Sequence, residues 1–425
     1  MPSFQETVTK TLPTKTKTSH SQPQAQSKSH SPILPILPLE IIEMICDELN
    51  TQDLASLAGT CRNAYCLTIH RFAERYTEVY VDLSKASFDH LHAIASNKVM
   101  RQYVQRLVVM VPEPYLGHGV EWQWSAAGHL RNPLGMPLVQ RFRDDLVHRL
   151  INCRSFIISP VVGEPAPVPE GESNDHEKVF NPDDVACMLF DIISDASLPV
   201  KLFWYGKGMN YTTDVMSTKR LPKSLFSNPG FKTGWSQLEN LHLEHELTPY
   251  NYSFLLDLTL HCPNVRKLYL SLGPKDLAME FFSQLSRAET LPSNLERVTL
   301  SFTAIQADDL IRILYNSRHS LRRLILNGVT GLTPGWLTFL GKMQSEFPRL
   351  ETIELNMLYG GGDVILFTAI KDYPAEQKHM FKLQACDPFF EEMGIGVADI
   401  IGVTYTGPEM GKALDLLLKV HQESN

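Results

Sequence analysis

The chain has no apolar run approaching the roughly 20 residues that span a bilayer, and residues 1–31 are polar throughout, with no signal-peptide core. A soluble intracellular protein, cytoplasmic or nuclear and without membrane attachment, is expected. Its seven cysteines, at 46, 61, 66, 153, 187, 262 and 386, form no CxxC pair. An odd, dispersed set fits buried thiols in a reducing compartment better than a disulfide framework. Positive charge is not in excess: 39 Lys and Arg face 47 Asp and Glu, for a net charge of -8. That argues against nucleic acid as the main partner, because phosphate binding needs a basic face. The motifs GxxxxGK[ST], GxSxG, HExxH and GxGxxG are missing. His242 and His245 of "HLEHE" would point to opposite faces of a strand and are expected at the surface. Cys61, Cys66 and His70 lack the second half of a zinc knuckle, and "YGGGD" (359–363) has no following lysine to make a phosphate cradle. No catalytic residue, cofactor or metal is expected.

What the chain does have is 43% hydrophobic content over 425 residues, enough for two or three domains or one elongated array. Residues 1–31 form a low-complexity tail whose four lysines are too dispersed for an import signal, and no packed core is expected there. From Leu37 to Tyr76 the pattern is helical. Ile42, Ile45 and Leu49 recur at three- and four-residue spacing, widened by Ile41 and Met44. Pro38 suits a first helical position and Glu40 the first turn. Asn50 and Thr51 restart the chain, Gly59 ends a second helix, and Thr60 can cap a third. From Thr77 the rhythm changes, and "TEVYVDLS" (77–84) and "YVQRLVVMV" (103–111) suit strands.

Beyond residue 237 a repeat emerges. "LENLHLEH", "VRKLYLSL", "LERVTLSF", "LRRLILNG" and "LETIELNM" begin at Leu238, Val265, Leu295, Leu321 and Leu350, spaced 27, 30, 26 and 29 residues apart. "MFKLQA" from Met380 is a candidate sixth unit, and "RSFIIS" (154–159) and "VKLFWYG" (200–206) are poorly matched earlier ones. Helical stretches such as 275–288 and 304–318 separate them. One strand and one helix per unit predicts an α/β solenoid over 77–425, interrupted by loops at 112–137 (with Tyr115, Trp122 and Trp124), 160–182 and 206–236 and closed by "MGKALDLLLKVHQ". The motif resembles leucine-rich repeats in a degenerate form without the usual consensus asparagine.

Residues 34–76 carry a second resemblance. The segment runs Leu37-Pro38-x-Glu40-Ile41-Ile42-x-x-Ile45-x-x-x-Leu49-x-x-x-Asp53-Leu54-x-x-Leu57-x-x-Thr60-Cys61-Arg62 and resembles the F-box. The resemblance implies a small three-helix unit that binds a Skp-type adaptor and, through it, a cullin. Leu37, Pro38, Ile41, Ile42, Ile45, Leu49, Leu54 and Leu57 would divide between the helical core and the adaptor face. It further implies a non-catalytic substrate-recognition subunit of an SCF-type ubiquitin ligase, with a target protein held on the solenoid. Two alternatives stay open: an adaptor-bound scaffold that directs no ubiquitylation, and an anion-binding ligand receptor on the solenoid's concave face.

In LxxLxL the leucines face inward and the residues between them project from the sheet. These are candidates for target binding: Lys267, Tyr269, Arg297, Thr299, Arg323, Asn327 and Glu354. They form a mixed polar surface with a basic centre, suited to a partner with an acidic or phosphorylated element. The position after each first leucine alternates in sign, Glu239, Arg266, Glu296, Arg322, Glu351, and is expected to pair across strands as a structural ladder.

Overall fold

The computed structural model describes residues 37–111, 116–125, 130–160, 182–206, 224–273, 276–332, 335–360, 363–386 and 399–424. The N-terminal tail, Tyr115, and most of the loops expected at 160–182 and 206–236 lie outside the described residues. Among the described residues no helix is long and apolar enough to cross a membrane. The chain divides into two compact units. One takes the described residues up to Val79 with Asp89–Arg106 and Asp144–Cys153; the other takes Tyr80–Phe88, Leu107–Arg143 and the chain from Arg154 onward.

The first unit opens with three short helices, α1 (Leu39–Glu48), α2 (Thr51–Thr60) and α3 (Arg62–Glu74). Pro38 is the cap of α1 rather than its first helical residue, and its carbonyl accepts from the Ile41 and Ile42 amides at 3.1 and 3.2 Å. Asn50 caps α2, its side chain accepting from the Asp53 amide at 2.9 Å. Gly59 does not end α2, which runs through Thr60, and Cys61, not Thr60, caps α3. The Cys61 sulfur accepts from the Ala64 amide at 3.4 Å, and this bond to the charged form holds its thiol below the usual range.

Strands and helices then alternate: β1 (Glu78–Val81), α4 (Lys85–Ser96), α5 (Met100–Tyr103), β2 (Arg106–Val111), α6 (Pro137–Asp144), β3 (Ser155–Pro160), α7 (Pro182–Ala196), β4 (Leu202–Gly206), α8 (Pro229–Trp235), β5 (Asn240–Glu244) and α9 (Tyr252–Leu260). The alternation continues through β6 (Lys267–Ser271), α10 (Asp276–Ser286), β7 (Arg297–Ala304), α11 (Ala307–Tyr315), β8 (Arg323–Thr330), α12 (Trp336–Glu346) and β9 (Thr352–Asn356). A hairpin, β10 (Tyr359–Gly360) and β11 (Asp363–Val364), leads to α13 (Ala375–Lys378), β12 (Lys382–Ala385), β13 (Ile400–Thr406) and the closing helix α14 (Met410–Ser424).

Among the described residues eleven strands form one sheet in the order β1 to β9, then β13, then β12. From β3 to β9 each strand pairs in parallel with the next. The geometry that starts each strand recurs. Two consecutive amides converge on one carbonyl of the preceding unit, as when Arg266 and Lys267 donate to the Glu239 oxygen at 2.8 and 3.0 Å. The carbonyls of Thr77, Arg154, Lys201, Arg266, Glu296 and Arg322 receive the same paired donation. The step is therefore present at "RSFIIS" and "VKLFWYG", where the leucine pattern is weak.

Two expectations change. "MFKLQA" does not continue the parallel series: β13 returns antiparallel along β9, and β12 takes the outer edge antiparallel to β13. β13 is buried along most of its length, so it displaces the more polar β12 from the β9 edge. The stretch 206–236 is also not all loop, because α8 lies within it and buries Phe231 and Trp235 completely. These rings meet Phe190 of α7 at 5.7 and 5.9 Å between centroids, with Phe203 of β4 at 5.3 Å, and the Trp235 indole donates to the Leu258 carbonyl at 3.2 Å.

Helix α8 reaches this position because two glycines let it approach backbone. A Cβ on Gly230 would lie 1.9 Å from the Ser194 carbonyl oxygen, and one on Gly234 would lie 2.3 Å from that of Leu198. Gly59 in α2 has nothing within 4 Å of the same point. Gly230→Ala is therefore expected to lower stability by at least about 1–3 kcal/mol through overpacking. Gly59→Ala should raise it by up to about 1 kcal/mol through helix propensity. Thermal unfolding followed by circular dichroism tests this reversal of sign.

Candidate functional site

In the three-helix segment, Ile42, Cys46 and Leu54 are fully buried, with Leu37, Leu49, Leu67 and Phe72 packed against them. Pro38 is exposed and Leu57 half-buried. Exposure is 41% for Ile41 and 38% for Ile45, and the neighbouring Leu39 and Met44 reach 53% and 64%. Helix α1 thus puts one apolar stripe into the core and holds a second apolar flank in solvent. Tyr65 on α3, 41% exposed, is a further large surface side chain. Leu39 and Tyr65 fell outside the apolar spacing that drew attention to the segment.

Helix α3 also secures the C-terminal end of α1. The Arg75 guanidinium donates to the Cys46 and Leu49 carbonyls at 2.9 and 2.5 Å, satisfying acceptors that the helix end leaves open. One turn earlier, Arg71 lies 3.5 Å from Glu43 and 4.0 Å from Asp47. Burial raises the Cys46 thiol above its ordinary range, consistent with a neutral packing role. Arg75→Ala is expected to cost about 1.5–3 kcal/mol, the usual contribution of hydrogen bonds to a charged group. Hydrogen exchange should show faster exchange at amides 45–49 with the α2 amides much less affected.

In the second unit the strand register places the sheet candidates in rows. Lys267, Arg297 and Arg323 are direct neighbours on β6, β7 and β8, and all three are exposed. Two residues further along stand Tyr269, Thr299, Ile325 and Glu354. Tyr269 and Glu354 are half-buried, whereas Thr299 and Ile325 are 5% and 9% exposed, so Thr299 presents little surface. Asn327 is half-buried and takes a 3.2 Å hydrogen bond from the Asn356 side chain.

The row through Tyr269 continues onto earlier strands as His242 and Trp204. The His242 ring stacks on Tyr269 at 3.7 Å and on Trp204 at 4.3 Å between centroids, with its Nε2 2.7 Å from Glu244 Oε1. Trp204 sits in the poorly matched unit at 200–206, and this ledge could not be anticipated without knowing that β4 adjoins β5. His245 is not a surface histidine. It is buried, with its ring 4.3 Å from Tyr205 edge to face, because the strand ends at Glu244 and the chain turns inward. Among the described residues no group of His, Cys, Asp and Glu is arranged to hold a metal ion.

The alternating ladder pairs at Arg322–Glu351, at 3.1 Å, and at Arg266–Glu296. Lys201, in the poorly matched unit, extends it with a 3.6 Å pair to Glu239. Exposed pairs of this kind contribute about 0–1 kcal/mol each.

A family model for the F-box domain matches residues 34–69. No curated protein matches the chain. The matched residues contain α1, α2 and most of α3, with the small core and the exposed flank of α1. F-box domains bind Skp-type adaptors of SCF-type ubiquitin ligases. The chain thus carries an F-box domain at residues 34–69, followed by an α/β region built on a large, mostly parallel sheet.

Proposed function

We propose that this protein is the substrate-recognition subunit of an SCF-type cullin–RING ubiquitin ligase. The F-box would hold a Skp-type adaptor, and through it a cullin, while the sheet-and-helix region would hold a target protein. The observation that carries the adaptor half is the exposed flank of α1, Leu39, Ile41, Met44 and Ile45, lying beside the small buried cluster of Ile42, Cys46 and Leu54. Burying a large apolar side chain contributes about 1.5–3 kcal/mol, so covering several of them can offset the several kcal/mol that association costs. Ile42 and Leu54 belong to the core in this reading, Leu37, Leu49 and Leu57 to its margin, and Pro38, Ile41 and Ile45 to the adaptor face.

The region from 77 to 425 is, in the same proposal, a degenerate leucine-rich-repeat-like solenoid. Its support is the sequential strand order and the recurrent paired donation at the strand starts. No covalent chemistry is assigned to the chain. Its contribution would be proximity, holding target lysines near the ubiquitin-conjugating enzyme at high effective concentration. Among the sequence candidates, Lys267, Tyr269, Arg297, Arg323, Asn327 and Glu354 are the accessible members of the target face, and buried Thr299 is its floor.

Co-purification with a Skp-type adaptor tests the proposal. The intact chain should form a stable complex, and Ile41→Asp/Ile45→Asp should weaken it at least 100-fold while leaving the circular dichroism spectrum unchanged. Ile42→Ala instead should lower the melting temperature, since it opens a cavity in the core. Failure of the intact chain to bind any adaptor would remove the ligase reading.

A further inference from the structure

The two charge rows at the start of the strands behave differently, although they are adjacent in sequence and cross the same strands. In one, signs alternate and the side chains pair: Lys201 with Glu239, Arg266 with Glu296, Arg322 with Glu351. In the next, Lys267, Arg297 and Arg323 stand side by side on neighbouring strands, exposed, and make no ion pair among the described residues. Strands lie about 4.8 Å apart, so three like charges repel one another without any compensating contact. Folding gains nothing from this arrangement, but an anionic partner would.

One step along the same strands is the stacked ledge Trp204–His242–Tyr269, whose three residues are half-buried and so remain partly accessible. From Tyr269 to Arg297 is one strand across and two residues along, about 8 Å; to Arg323 it is about 12 Å. Extended chain covers that in about two to four residues. From this geometry we infer that the sheet face takes an extended acidic peptide segment, its aromatic or large apolar residue against the Trp204–His242–Tyr269 ledge. Its carboxylates, two to four residues away, meet Lys267, Arg297 and Arg323. A nucleic-acid strand also combines stacking with negative charge. Here, however, the cations span only three strands, and Glu244 and Glu354 bound the area on either side, which suits a short acidic run better than a continuous phosphodiester chain. The inference rests on reading this face as the target surface and supplies the chemistry of what binds there.

The test uses the full chain and a fluorescein-labelled ten-residue peptide with one tryptophan followed, two to four residues on, by three glutamates. Control peptides replace the glutamates by lysine or the tryptophan by alanine, and an eight-nucleotide thymidine strand is the competing class. Fluorescence anisotropy should show the acidic aromatic peptide binding at least tenfold tighter than either peptide control, and weakening as salt rises. Arg297→Glu/Arg323→Glu, both exposed positions, should reduce that affinity at least tenfold. Trp204→Ala should reduce it about fivefold for the tryptophan peptide and leave the alanine peptide unchanged, a double-mutant cycle that loss of folding cannot mimic. Equal binding of the lysine peptide, undiminished binding to the charge-reversed chain, or tighter binding of the thymidine strand would overturn the inference. Adaptor co-purification on the same variants separates the two proposals. Adaptor binding without peptide discrimination overturns this one alone, and peptide binding without adaptor binding overturns the ligase reading alone.

Discussion

The paired donation of two consecutive amides to one carbonyl of the preceding unit is the constraint on which the sheet depends. It recurs from Arg154 to Arg322 whether or not the leucine pattern is well kept. Because side chains alternate faces along a strand, a slip of one residue would turn Leu268, Val298 and Leu324 out of the core and put Lys267, Arg297 and Arg323 into it. The hydrogen bond therefore sets more than backbone satisfaction. It aligns the buried rows, brings opposite charges together in the ladder that precedes the strands, and places the cations and the aromatic ledge on one face. The ion pairs follow from that alignment and are too weak to impose it.

The F-box depends on a different limit, that of size. Ile42, Cys46 and Leu54 form its compact apolar cluster, Ala64, Ile69 and Ala73 are buried on α3, and three ten- to thirteen-residue helices can enclose few large side chains. Apolar residues on α1 beyond that capacity must face outward. Arg75 reaching the last carbonyls of α1, and Asn50 capping α2, keep the helix ends satisfied while that flank stays in water. The surface proposed to meet the adaptor is thus a direct consequence of a core too small for its own sequence.

Much of this was legible in the sequence where it is local. The helices of the F-box, the strands of the five clear units and the closing helix follow from residue spacing. Errors at the caps, Pro38 and Cys61, are of one residue and concern which side chain meets the free amides. What escaped is what only tertiary context decides. Helix α8 hides in a stretch rich in Gly, Ser, Thr and Lys because its glycines serve close backbone approach rather than flexibility, and Phe231 and Trp235 are too few to show a period. The antiparallel return of β13 cannot be read from the repeat, since it breaks it. Trp204 and Lys201 join their rows only once β4 is known to adjoin β5, and Arg75 acts across 26 to 29 residues on carbonyls that no side-chain pattern reveals.

A ledge of three rings beside three surface cations is a shallow site, and shallowness bears on the proposed role. Exposed charges are screened by salt and rings at a half-buried row exclude water incompletely, so such a face favours modest affinity with fast release. For an enzyme pocket that would be a weakness. For a receptor whose cargo must leave after modification it is not, because affinity differences between related complexes lie mostly in the dissociation rate. Tethering supplies what the site lacks. In the proposed ligase role, a target segment held even briefly would meet the ligase through its lysines as an intramolecular event, with effective concentrations in the millimolar range following from the linkage alone.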